Sequence, residues 1–145
     1  MSSIDECRLI SLEKFELPTG TLSPLYGDVH IPFAIKRAFY LYDVPGGAER
    51  GGHAHWALQQ FVVAASGSFK VQIDDGQNRR TVSLDRSYHG LYVPSLIWTQ
   101  LEGFCTGAVC LVFASMTYEE ADYIRDYDGF LAAVRSPTAP ADANT

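Results

Sequence analysis

The chain has 145 residues, 47% hydrophobic and 12% aromatic, with a formal net charge of −6. That length and apolar share belong to one globular domain with a core of its own and exclude a disordered chain. The acidic balance excludes a general nucleic-acid or membrane-surface role, so an anionic ligand must be held by a few placed Arg or Lys side chains.

In chain order, Cys7 to Glu13 reads as a first strand, Pro18-Thr19-Gly20 as a turn and Leu22 to Leu25 as a short strand. Ile31 to Tyr42 is rich in aromatic and β-favouring residues and predicts a longer strand. Alternation puts Ile35, Arg37, Phe39 and Leu41 on one face, and Lys36, Ala38, Tyr40 and Tyr42 on the other. An Arg among apolar neighbours needs an anionic partner. Arg37 is therefore either a ligand contact or the partner of a local carboxylate. Asp43 to Gly52 is a Gly-rich loop. Beyond it, strands are expected over Leu58–Ala65, Phe69–Ile73, Arg80–Leu84, Gly90–Pro94, Ile97–Leu101 and Ala108–Ala114, with a hairpin turn at Asp74-Asp75-Gly76. Strands at this spacing predict an all-β sandwich or barrel.

The period changes near the end. Thr117-Tyr-Glu-Glu120 has the form of a capping box, and Tyr123, Ile124, Tyr127, Phe130, Leu131 and Val134 recur at helical spacing. One or two short helical pieces packed on the β body are expected there. Residues 1–136 form a single domain in this reading, with 137–145 as a frayed tail. The three cysteines, Cys7, Cys105 and Cys110, are odd in number and lack metal-type spacing, which predicts free thiols in a reducing compartment. No apolar run approaches a membrane span and the N-terminus shows no signal peptide, so a cytoplasmic protein is expected.

The stretch that carries chemistry is Gly47 to Gly67. Residues i and i+2 of a strand share a face, so His53 and His55 present two imidazoles side by side behind a Gly-rich turn. The alternative is a pair of ordinary polar residues at a strand entrance. The order Gly47, five residues, His53-Ala-His55, four residues, Gln60, six residues, Gly67 resembles the first motif of the cupin superfamily, which has Glu in the place of Gln60. The region Gly90 to Thr99 resembles the second motif. Pro94 fits, but Leu96 stands where a Gly is usual and Thr99 where the third metal-binding His is expected. Two of four ligand positions are then weak neutral donors, so no metal is expected. The His pair is free to move protons, a task suited to a group whose ordinary pKa lies near neutrality.

Four segments carry a closer resemblance: Ile31 to Arg37, Arg50-Gly-Gly-His-Ala-His55, Gly90-Leu-Tyr-Val93, and Asp122-Tyr-Ile-Arg-Asp-Tyr-Asp-Gly-Phe130. In order and spacing they are similar to the WxcM-like sugar 3,4-oxoisomerases, which act on dTDP-4-oxo-6-deoxyglucose. The resemblance implies a cupin jelly-roll barrel with a short C-terminal helical segment. It also implies a cofactor-free ketoisomerase working through an enediol, and a homodimer. In this reading His53 is the base and His55 its partner or proton shuttle. Tyr42, Tyr92, Gln60 and Arg37 are candidate polarising groups, though Gln60 could equally serve a structural hydrogen bond. Arg37 and Arg50 are the diphosphate candidates, and Trp56, Trp98 or Tyr92 could stack on the thymine. Product configuration at C4 is associated with two positions in such proteins, which fall here at Thr19 and Thr99. Both are short and uncharged, so the configuration is not assigned. The rival readings are a nucleotide-sugar 3,5-epimerase and a non-catalytic sugar-binding cupin.

Overall fold

A computed structural model describes residues 2–137. The predicted tail at 137–145 lies almost wholly outside the described residues. In chain order the strands are β1 (Arg8–Ser11), β2 (Phe15–Leu17), β3 (Gly20–Leu22), β4 (Arg37–Leu41), β5 (Arg50–His55) and β6 (Gln60–Ser66). They continue with β7 (Phe69–Asp74), β8 (Arg79–Leu84), β9 (His89–Val93), β10 (Trp98–Glu102), β11 (Val109–Ala114) and β12 (Tyr123–Ile124), and a helix α1 (Tyr127–Arg135) closes the described chain. Two five-stranded antiparallel sheets, ordered β1-β9-β6-β11-β4 and β12-β5-β10-β7-β8, face each other; β2 and β3 form a separate hairpin. This is the expected all-β jelly roll with a short C-terminal helix.

The period-2 pattern explains where the core lies. Val62 and Ala64 of β6, Val71 and Ile73 of β7, Leu91 and Val93 of β9, and Cys110 and Val112 of β11 all point between the sheets and are buried. The opposite side of the first sheet is also apolar: Phe61, Val63 and Tyr92 pack under Leu12, Ile31 and Phe33. A third cluster joins α1, through Phe130, Ala133 and Val134, to Ala54 and Ile124 on the second sheet and to Leu96 in the turn before β10.

Two glycines of the motifs are demanded by close packing. A Cβ on Gly90 would sit 2.0 Å from Cζ of the buried Phe61 ring. Gly67 has φ +67°, and a Cβ there would come within 2.9 Å of the Ala108 backbone.

Two expectations are corrected. The long strand over Ile31–Tyr42 is confined to Arg37–Leu41, because Ile31 and Phe33 turn down into the outer cluster and Pro32 has no N–H to give a ladder. Its first bond to β11 is Lys36 N–H to Ala114 O, 2.9 Å. The two short helical pieces expected here are present, a 3-10 turn at Glu120–Asp122 and α1, but the capping box at Thr117 does not act as one: that turn is entered from Glu119 with no side-chain cap. Its Glu120 carboxylate is taken by Arg125 and Tyr118, and Tyr123–Ile124 pair with β5 instead. The helix is capped by Asp126, which accepts from Gly129 N–H at 2.8 Å.

All three cysteines are unpaired, with Cys7 and Cys110 buried and their thiols pushed up to about 12 by that burial. Among the described residues no helix is long and apolar enough to cross a membrane.

Candidate active site

One end of the sandwich opens into a cavity of about 450 Å³. Its floor is the end of the apolar core, Val62, Val71, Leu101 and Val112; its wall carries Arg37, Arg50, His53, His55, Gln60, Thr99, Tyr123 and Arg125. The apolar floor keeps water from solvating the base of the site, while the polar groups converge from five strands and the loop after β12.

β5 places the two imidazoles together. Their ring centroids are 5.0 Å apart and the planes stand at 83°. Tyr123, delivered by β12 opposite His55, closes a three-ring cluster, 5.0 Å from His53 and 4.3 Å from His55. Burial, the neighbouring His55 and the Arg125 guanidinium all disfavour a positive charge on His53 and push it down to about 4. Its ring is therefore neutral at pH 7 and able to accept a proton, at some loss of basicity.

His55 is 5% exposed and Asp122 only 1%. The Asp122 carboxylate accepts from Ala57 N–H (2.8 Å) and Leu58 N–H (3.1 Å), which fixes its position, and its Oδ2 lies 3.3 Å from His55 Nδ1. That approach is close but not aligned as a hydrogen bond, and Nδ1 has no other partner. At the mouth, Arg125 donates through Nε and Nη2 to Glu120 (2.7 and 2.8 Å) and covers the Tyr123 ring, with Cζ 4.1 Å from its centroid. Arg37 lies over Phe39 and Tyr118, and its buried Nε has no acceptor. A cation with an unused donor in a cavity wall is suited to an anionic ligand. Thr99 is buried opposite His53 on β10, its hydroxyl making a long contact of 3.5 Å to His53 O. Among the described residues no cluster of three or more His, Cys, Asp or Glu side chains is placed to hold a metal.

Six sequence candidates thus converge: His53, His55, Arg37, Arg50, Gln60 and Thr99. Five do not line this chain's cavity. Tyr42 follows the outward side of β4 with Tyr40 and is 62% exposed. Tyr92 faces the outer cluster, and its hydroxyl donates to Gln59 Oε1 at 2.6 Å. Trp98 points the other way from Thr99, against Tyr127 and Phe130 of α1. Thr19 sits exposed at the turn between β2 and β3. Trp56 also packs with the helix cluster and does not reach the cavity. The pleat decides three of these cases: one step along a strand reverses the face.

Tyr123, Arg125 and Asp122 are neighbours of the histidines that the sequence reading assigned to a helical segment. The available signal was the alternation of Tyr123, Ile124 and Arg125, with one apolar residue between two long polar ones, a strand pattern two residues too short to stand out.

Fold and site together define a cupin-type jelly roll with two adjacent histidines and three arginines around one cavity. The chain matches the FdtA family, described as WxcM-like, C-terminal, over residues 5–135, and it belongs to that family. It is 39% identical over 125 residues to the TDP-4-oxo-6-deoxy-alpha-D-glucose-3,4-oxoisomerase of Aneurinibacillus thermoaerophilus, covering 86% of this chain and 90% of that one. It resembles the solved 3,4-ketoisomerase of Helicobacter canadensis, with 36% identity, a TM-score of 0.88, and coverage of 90% and 98% of the two chains. It also resembles the 3,4-ketoisomerase QdtA of Thermoanaerobacterium thermosaccharolyticum, solved as a histidine-to-asparagine variant with TDP-4-keto-6-deoxyglucose. There the identity is 32%, the TM-score 0.89, and the coverage 92% and 96%.

Proposed function

We propose that this chain is a 3,4-ketoisomerase that converts a TDP-linked 4-oxo-6-deoxyglucose to the 3-oxo-6-deoxyhexose without a cofactor. The observation that carries the reading is the neutral His53 beside His55 in a cavity whose rim bears Arg37, Arg50 and Arg125. The ketone at C4 acidifies the proton on C3. His53 removes that proton; the electron pair of the broken C–H bond forms a C3–C4 double bond, and the C4 oxygen takes up a proton to give the enediol. The C3 hydroxyl then gives up its proton, a carbonyl re-forms at C3, and C4 accepts a proton. Nothing is gained or lost overall, so no oxidant or reductant is required.

His55 is the shuttle between the two carbons. Gln60 and Thr99 face the sugar end and steady the oxyanion. Arg37 and Arg50 hold the diphosphate, which supplies binding energy away from the reacting carbons. The setting is biosynthesis of a deoxyamino sugar, in the cytoplasm.

The working unit is a homodimer. Phe15, Leu17 and Leu22 of the β2–β3 hairpin are all more than half exposed, and apolar side chains so placed are suited to a second copy. The same packing would carry Thr19, at the tip of that hairpin, toward the partner.

The reading is tested by incubating the protein with dTDP-4-oxo-6-deoxyglucose and an aminotransferase that accepts only 3-oxo sugars. Formation of the 3-amino sugar supports it. Unchanged substrate would leave a sugar-binding cupin, and a sugar that keeps its C4 ketone with inverted neighbours would make the chain an epimerase.

A further inference from the structure

Asp122 is a carboxylate 1% exposed, and among the described residues no lysine or arginine pairs with it. Two backbone N–H groups, those of Ala57 and Leu58, satisfy part of its demand, and its backbone carbonyl accepts from Trp56 N–H at 2.9 Å. Those three bonds lock the 56–58 turn to the segment before β12. Among the described residues the one basic side chain within ion-pair distance of that carboxylate is His55, with Oδ2 3.3 Å from Nδ1. A buried charge is costly unless it is compensated.

The imidazole has two tautomers. With the proton on Nε2, the Nδ1 lone pair would face the carboxylate oxygen, which is repulsive. With the proton on Nδ1, the N–H has the carboxylate oxygen 3.3 Å away, close though not aligned as a hydrogen bond, and the lone pair is on Nε2, the ring's other nitrogen. The other groups facing the pair are His53 on β5, Tyr123 on β12 and, beyond it, Arg125. None of them supplies an anion.

We infer that Asp122 is a positioning residue for the isomerisation: it holds His55 as the Nδ1–H tautomer, frees Nε2 to receive the proton, and compensates the imidazolium that forms. The inference rests on the proposed role of the histidine pair. It gives a second function to an aspartate whose evident task is to close a turn. It also explains why the segment carrying it is paired to β5 directly at His55.

The test has two parts. Nitrogen NMR of the uniformly labelled wild-type protein, with the His55 ring assigned through His55→Asn, should show Nδ1 protonated at neutral pH. A bare Nδ1 would overturn the inference, and this readout needs no variant of Asp122. In the kinetic part, Asp122→Asn keeps one acceptor oxygen for the turn but loses the charge. It should lower kcat roughly 10²–10⁴-fold with little change in KM, and Asp122→Glu should recover part of the loss. Wild-type kcat in a folded Asp122→Asn protein would also overturn it. Should the wild-type protein fail to turn over sugar while Nδ1 is protonated, the isomerase reading is the one that falls.

Discussion

His53 is half-buried and His55 buried, and they differ in their neighbours, which is the basis for giving them separate tasks in the proposed reaction. His53 borders the cavity with Arg125 nearby and stays neutral; His55 is buried against a carboxylate. Replacing His53 with Asn should abolish turnover, and His55→Asn should lower it severely, each by roughly 10²–10⁴-fold or more, with the fold intact by circular dichroism. Near wild-type rates in both would make the pair structural. The lowered pKa adds a pH signature. The unfolded imidazole takes a proton near 6.5 and the folded one near 4, so between those values the unfolded chain binds more protons. Stability from this group is therefore kept above pH 6.5 and eroded as the pH falls toward 4. The kcat/KM profile of the isomerase should stay level through pH 6 and lose its acid limb near 4. A limb centred at 6.5 would show that burial does not govern His53.

At the scale of elements, the turns and glycines hold the site in place. Gly90 lets β9 lie flat against the Phe61 ring, which is itself fully buried. Gly90→Ala should cost about 1–3 kcal/mol through overpacking, read as a lower midpoint in denaturant with an unchanged slope. An unaltered midpoint would mean that the ring has room to shift. These constraints were partly legible in the chain. The spacing of His53, His55, Gln60 and Gly67 placed the cavity strand and the wall opposite it, because a period of two leaves little freedom once one face is known. Arg37 was placed for the same reason. What could not be read was which way β9 and β10 show their aromatic residues: both sides of each sheet are covered, so Tyr92 and Trp98 have apolar company on either face. The path of 117–125 was also hidden. Glu120 reads as a helix-capping partner until Arg125 and Tyr118 claim it, and only the pairing of Tyr123 with His55 turns that segment into a wall of the site.

For the whole molecule, the proposed dimer rests on exposed apolar side chains: Leu17, Leu22 and Val29 are 65%, 61% and 74% exposed. Light scattering across micromolar concentrations should give twice the mass of one chain; a monomer at all concentrations would remove the dimer and leave Thr19 outside the histidine cavity. The reaction itself is read most directly by proton NMR of dTDP-4-oxo-6-deoxyglucose incubated with protein purified in the presence of chelator. The expected result is loss of the C3 proton signal and appearance of a C4 proton coupled to C5, the mark of a ketone moved to C3. A substrate spectrum that stays unchanged until a divalent metal is added, or a product that retains its ketone at C4, would contradict it.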